Sequence, residues 1–245
     1  MQADNGDYWI PMAQPYSKFL VEMLEPQRYP EVRLLPGKEI LRPYDVATWT
    51  LPLAMGVKVE LTDKGPEIEH PIRTMADVHK LRIPDPASEV PFVGNILKRL
   101  RSELRNEVPL LGFSGAPWTL ASYMIEGGGS KSFAEIKKMA YSEPETLRAL
   151  FDKLATTIIA YLRFQIESGA QVVQLFDTWA GELTRKDYET FALPFVQRIF
   201  SEIGDSVPRI LYINGCANIL ESMANSGADV LSIDWRIPIS EAMAR

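Results

Sequence analysis

The chain predicts an α/β fold: a partial TIM-type (β/α) barrel preceded by an irregular N-terminal segment. Two observations carry this. From about residue 109 onward, short apolar stretches alternate with longer helical stretches, in the order βαβαβαβα. Each apolar stretch also runs into a cluster of small or polar residues, as ligand-binding strand ends do in α/β proteins. Short apolar strands in this order suit a parallel sheet covered by helices. A doubly wound open sheet is the structural alternative, but no Gly-x-Gly-x-x-Gly follows a strand to support a dinucleotide-binding version.

Composition bounds the rest. With 245 residues, 46% of them hydrophobic, the chain can bury one sizeable core. Charged residues make up 24%, which argues against global disorder. A formal net charge of -6 argues against a general nucleic-acid binder, yet leaves room for a local basic pocket. The single Cys216 excludes an intramolecular disulfide, and no Cys/His cluster predicts a structural metal. The first residues show neither a basic nor an apolar leader region, and no apolar run of spanning length occurs. The expectation is a cytoplasmic protein.

The elements follow in order. Residues 1–57 read as irregular, punctuated by Pro11, Pro15, Pro26, Pro30, Pro36, Pro43 and Pro52, with one helix candidate over 16–25. Residues 58–61 alternate like a short strand, and 62–66 form a turn. Thr74 with Asp77 marks a helix start, giving a short helix to about Leu81. Residues 83–86 are an extended connector, and 91–106 a helix. Residues 109–113 form a strand that runs into a small-residue turn, a Tyr-bearing stretch and the loop Gly127-Gly128-Gly129-Ser130. Helices are then predicted over 133–141, 143–168, 184–204, 217–226 and 238–245, with strands over 171–176, 209–213 and 229–233. The 143–168 helix has Pro144 in its first turn and Gly169 at its end.

The run from Gly112-Phe113-Ser114-Gly115-Ala116-Pro117-Trp118 through Tyr123 to Ser130 closely resembles a signature of the uroporphyrinogen decarboxylase family. Further blocks in order strengthen the likeness: residues 65–73, Gln174-Leu175-Phe176-Asp177-Thr178-Trp179-Ala180-Gly181, and residues 227–236. The resemblance covers about 58–245 as one unit and implies a TIM barrel that works without a cofactor. It implies removal of carboxylates from the acetate side chains of uroporphyrinogen, a tetrapyrrole, to give coproporphyrinogen. A protonated pyrrole acts as electron sink while the pocket stabilises the cation and delivers protons. The family's Met-Arg-Gln-Ala-Gly-Arg-Tyr and Phe-Ser-Asp motifs find no match, nor do the Gly-Asn-Leu-Asp-Pro turn and late His of its final strands. Their absence predicts weak or absent activity. Residues 1–57 resemble instead a stretch downstream of the catalytic domain in zinc carboxypeptidase-like proteins, through Tyr8-Trp9-Ile10-Pro11 and Arg42-Pro43-Tyr44-Asp45. That likeness implies that 1–57 is a foreign segment joined near residues 55–62; a divergent family N-terminus is the alternative.

The resemblance assigns the site residues. Tyr123 falls on a substrate-contacting Tyr, and Thr178 on a Ser or Thr at the end of the fourth strand. Asp45 is the nearest candidate for the missing motif's Asp, with spacing to Gly56 off by about two residues. Phe176, Asp177 and Gly115 are expected to line the substrate pocket. No metal site is expected. In related corrinoid-dependent methyltransferases a His-x-Cys pair binds zinc at the position of Asn214-Gly215-Cys216, so Asn214 counts against that alternative and Cys216 reads as a small buried residue. The Gly127–Ser130 loop lacks a P-loop ending, and His70 and His79 read as solvated. Asp234 is a pocket-side group or the partner of Arg236. Arg28, Arg33, Arg42 and Arg73 receive no role. A homodimer is the expected assembly, and a non-catalytic chimeric fragment is the remaining alternative, since a barrel lacking strands exposes sheet edges.

Overall fold

The computed structural model describes residues 43–245 apart from 63, 64 and 106; the side chains of 43–48, 61, 62 and 65 are outside that description. Helix α1 (Pro43–Ala54) opens the described region. An antiparallel pair follows, β1 (Val59–Thr62) against β2 (Gly65–Ile68), with Val59 opposite Ile68. Three helices lead to the sheet: α2 (Met75–Lys80), α3 (Pro86–Glu89) and α4 (Pro91–Leu104). The main sheet takes strands β3 (Leu111–Gly115), β4 (Val172–Phe176), β5 (Arg209–Tyr212) and β6 (Val230–Ser232). They lie side by side in chain order and all pair in parallel.

The connections carry α5 (Pro117–Glu126), α6 (Ala134–Ser142) and α7 (Pro144–Glu167) between β3 and β4. After β4 come a 3₁₀ turn (Thr178–Glu182), α8 (Arg185–Asp187), a π-helical turn (Tyr188–Ala192) and α9 (Leu193–Ile203). Beyond β5 are a second 3₁₀ turn (Cys216–Asn218) and α10 (Leu220–Ala224), and beyond β6 is α11 (Ile239–Ala244). Parallel neighbours in sequence order, each joined through helices, are how a (β/α) barrel winds. Here the sheet stays open.

Strand alternation divides the sheet. Gly112, Ser114, Val173, Leu175 and Leu211 are buried. Gly112 and Ser114 alternate with Leu111 and Phe113, which are each 39% exposed, and Val230 of β6 is 48% exposed. The helix α7 supplies one wall of the core through Leu147, Leu150, Phe151, Leu154, Ile158 and Leu162.

The free edge of β3 is covered by a side chain. The Gln165 amide, from α7, accepts from the Phe113 N–H (2.9 Å) and donates to the Phe113 carbonyl (2.9 Å). Those two bonds replace what a neighbouring strand would supply. Gly112 makes this possible, because a Cβ there would lie 2.7 Å from the Gln165 Oε1. At the opposite end of the sheet, Arg209 grips Asp229 with Nε and Nη2 (2.8 and 2.9 Å) and its own N–H (2.9 Å), fixing β5 against the start of β6.

Several expectations need correction. Residues 1–57 are not irregular throughout: α1 is helical, and Trp49, Leu51 and Met55 sit in the same core as the barrel helices. Pro52 lies two residues from the end of α1, where the missing N–H disturbs only the last turn. The 62–66 turn gives way to β2 from Gly65, since a two-stranded ribbon tolerates Pro66. The strand expected at 109–113 starts later, at Leu111. The Tyr-bearing stretch is helix α5, with Pro117 in its first turn and Gly127 closing it at φ 88°. Nearly all of α5 is buried, so it carries no amphipathic signature. The Thr74–Asp77 capping box is present as expected. The 16–25 helix lies outside the described residues, as do Arg28, Arg33 and Arg42.

Replacing Gln165 by Leu should lower stability by about 2 kcal/mol, because the Phe113 backbone groups lose both partners while apolar volume is kept. Chemical denaturation checks this, and an unchanged midpoint would sink the edge-cover account.

Candidate active site

The C-terminal ends of β3 to β6 gather most of the polar and aromatic side chains of interest. Along the sheet, Phe113, Phe176 and Tyr212 form an edge-to-face ladder with ring centroids 5.8 and 5.7 Å apart. All three rings lie at least partly open, on three consecutive strands. Above the strand ends a second aromatic group forms. Tyr123 of α5 meets Trp49 of α1 at 5.3 Å and Trp179 at 6.2 Å, and Trp179 meets Phe133 at 4.8 Å. Since Trp179 adjoins Thr178, these contacts bring the elements bearing Tyr123 and Thr178 together.

Asp177 is the pivot of this arrangement. It is fully buried, and its Oδ1 accepts from both the backbone N–H (3.1 Å) and the hydroxyl (2.9 Å) of Thr119. The Thr119 oxygen in turn accepts from the Trp179 N–H (3.2 Å). The Asp177 N–H donates to the Tyr212 carbonyl (2.8 Å), and the Ala116 N–H to the Phe176 carbonyl (2.9 Å). One carboxylate thus ties α5, the end of β4 and the turn carrying Thr178. Burial pushes its pKa up to about 7, against the two Thr119 hydrogen bonds that favour the charged form. Its Oδ2 has no hydrogen-bond partner, and neither does the buried Tyr188 hydroxyl. Burial and the Asp177 charge both push the Tyr188 phenol upward.

The ends of β5 and β6 carry a second polar group. Asp234 accepts from the backbone N–H of Gly215 and from that of Arg236 (2.7 Å), and pairs with the Arg236 guanidinium at 3.2 Å. Arg236 Nη1 also donates to Asn214 Oδ1 (3.0 Å). Burial raises the Asp234 carboxyl, but the two backbone N–H groups and the Arg236 charge outweigh it and hold the pKa below the usual value. The neighbouring loop packs directly on this group: a Cβ on Gly181 would fall 1.8 Å from the Asn214 carbonyl oxygen. Only glycine fits there.

The remaining expected residues are placed as follows. Phe176 is the centre of the aromatic ladder. Gly115 ends β3, where a Cβ would lie 2.6 Å from Leu120 Cδ2, so its small size admits α5. Asp45 belongs to α1, but its side chain is outside the described residues. Cys216 is fully buried, and burial raises its thiol pKa. His70 and His79 are exposed, and Asp234 partners Arg236. Thr119, Trp49 and Tyr212 were not anticipated. A Thr two residues after a Pro-started helix gives no signal of a bond to position 177. A cavity of about 190 Å³, bounded by Trp118, Tyr141, Phe191, Lys137, Glu182 and Asp187, includes none of the expected site residues. Among the described residues no group of three His, Cys, Asp or Glu comes together to hold a metal ion, and no helix is long and apolar enough to cross a membrane.

Comparison with known proteins agrees with this architecture. The model of the family described as uroporphyrinogen decarboxylase (URO-D) matches residues 42–245. A uroporphyrinogen decarboxylase of Synechococcus sp. strain CC9605 is 49% identical over 195 residues, covering 78% of this chain and 55% of the relative. One from Microcystis aeruginosa is 51% identical over 199 residues, covering 79% and 57%. The chain belongs to the uroporphyrinogen decarboxylase family. It spans a little over half the length of these relatives. Among solved structures, a methyltransferase from Methanosarcina mazei superposes with a TM-score of 0.68 at 24% identity, over 80% of this chain and 58% of that one, a likeness of fold.

Asp177 sets a pH dependence. Its folded pKa of about 7 stands above the ordinary carboxylate value of 3.8, so its protonated form is the one folding favours. The associated stability is complete below about pH 4, falls as pH rises to about 7 and is flat beyond. Wild-type protein should lose about 3 kcal/mol of unfolding free energy between pH 5 and pH 8 from this group. Asp177→Asn, which keeps the Thr119 bonds through its amide oxygen, should remove that slope in denaturant titrations at the two pH values.

Proposed function

We propose that this chain carries a uroporphyrinogen decarboxylase site on the C-terminal face of its sheet. The supporting observation is that the family match runs through the helix bearing Tyr123 and the strand end bearing Thr178, elements that meet at Trp179. In the proposed reaction a ring carbon of the tetrapyrrole is protonated. The C–C bond to an acetate carboxylate then breaks, its electron pair enters the ring and CO₂ leaves. Protonation of the resulting methylene, with loss of the proton first placed on the ring, gives the methyl product and restores the pyrrole. No cofactor takes part.

Each residue acts through its own chemistry. The edge-to-face ladder of Phe113, Phe176 and Tyr212 offers an apolar wall for the macrocycle. The Tyr123 phenol and the Thr178 hydroxyl donate to substrate carboxylates at the rim. Asp177 acts as a positioning group, holding Thr119 and through it the turn that presents Thr178. Gly115 keeps the end of β3 narrow. Asp45 is retained as the group facing the pyrrole N–H donors. A homodimer in the cytoplasm completes the proposal, as does a division between an N-terminal segment and the barrel. The family match begins at residue 42, and Trp49 and Met55 share the barrel core, which argues for placing that division ahead of residue 42 rather than at residue 57.

The test is an anaerobic assay with uroporphyrinogen, counting product carboxylates by chromatography. Coproporphyrinogen above the uncatalysed background is expected, at a low rate. Tyr123→Phe and Thr178→Ala should each reduce it by about 10-fold or more. No product from folded protein would overturn the reading.

A further inference from the structure

We infer that Arg236, with Asn214 and Asp234, forms a carboxylate-binding subsite at the rim of β5 and β6, taking a side-chain carboxylate of an anionic macrocyclic substrate. The inference rests on the proposed function for the identity of that ligand. Its basis is the geometry of the guanidinium. Arg236 Nη1 is occupied, by Asn214 Oδ1 at 3.0 Å and by the Asp234 carboxylate at 3.2 Å. Among the described residues no acceptor lies on Nε or Nη2 of Arg236. That edge presents two parallel N–H donors, the pattern that grips a carboxylate with both oxygens.

Three features make this a prepared site. Asp234 is only 5% exposed at its side chain and is fixed by the backbone N–H groups of Gly215 and Arg236. Those donors take up part of its charge, so it orients the guanidinium without fully neutralising it. Asn214 is in turn locked against Gly181, where no side chain fits. The guanidinium lies over the Trp235 ring, 4.9 Å from its centroid, while 46% of the Arg236 side chain stays open to an incoming ligand. Strand alternation puts Tyr212, Asn214, Ser232 and Asp234 in one register, with Tyr212 as the last ring of the ladder. Both Asp234 and Arg236 act on the Tyr212 phenol, which places this group beside the aromatic wall. A flat ring on the ladder would set a peripheral carboxylate at Arg236.

Two probes separate this inference from the functional reading: uroporphyrin, followed by fluorescence, and benzene-1,3,5-tricarboxylate alone, followed by calorimetry. Wild-type protein, Arg236→Ala, Arg236→Gln and Arg236→Lys are compared after circular dichroism shows each folded. The expected result is at least tenfold weaker binding of both probes to Arg236→Ala and Arg236→Gln, with Arg236→Lys between. Equal uroporphyrin binding by wild type and these variants would overturn the subsite and leave the functional reading intact. Tricarboxylate binding that depends on Arg236, with no uroporphyrin binding, would support the anion site and remove the tetrapyrrole. Binding of neither probe to wild type would overturn both.

Discussion

A single buried carboxylate without a counter-ion holds the working end of this protein together. Asp177 stands at the end of β4, where a barrel enzyme presents its site, yet it faces inward to Thr119. Through that residue it fixes the first turn of α5 and the N–H of Trp179. A charged carboxylate in such a place costs several kcal/mol unless it is compensated, and two hydrogen bonds from one Thr compensate only in part. The group therefore holds its proton to about pH 7. The arrangement trades stability at neutral pH for a fixed geometry between two strand ends, and that geometry sets where Thr178 and Tyr123 stand relative to each other.

The same end of the sheet depends on close backbone approach. Gly181 meets the Asn214 carbonyl, and Gly115 yields to Leu120. Without side chains at these points, the loops after β4 and β5 lock together and carry the Asp234–Arg236 group with them. The opposite end relies on charge instead, through the two-pronged Arg209–Asp229 pair, whose carboxylate is held down to about 2 by that guanidinium. On β3 a glutamine amide stands in for a strand. Backbone groups along the sheet are thus satisfied by whatever chemistry reaches them, and the small residues mark where something reaches far.

How much of this was legible in the sequence depends on which signal each element carries. Long amphipathic helices and short apolar strands have periodicity, so α7, β4 and β5 could be read to within a residue or two, while the helix expected over 184–204 is divided into α8, a π-helical turn and α9. Helix α5 has no polar face, because it is buried nearly all round, and it read only as a stretch after a strand. Helix α1 contains Pro52 and is organised by tertiary burial of Trp49, Leu51 and Met55, which propensity cannot see. Among the candidate site residues, Tyr123, Phe176 and Thr178 were proposed through family motifs. Thr119, Tyr212 and the bond of Arg236 to Asn214 were not, because they come from contacts across 58, 36 and 22 positions with no local pattern, whereas the local Asp234–Arg236 pair was among the readings offered.

The chemistry of a polycarboxylate explains why such contacts matter. Under the proposed function, each substrate carboxylate entering a half-dry pocket loses hydration and must find donors that already point at it. A lysine or arginine on a flexible stem would lose rotamer freedom to do so. Arg236 has already met that cost: its stem is fixed by Asp234 and Asn214, its plane rests on Trp235, and its unoccupied edge is the one that fits a carboxylate. The aromatic ladder beside it has the complementary property, an apolar surface of rings that meet edge to face. A ligand satisfying both carries an apolar body with acidic groups at its periphery, as the proposed tetrapyrrole does.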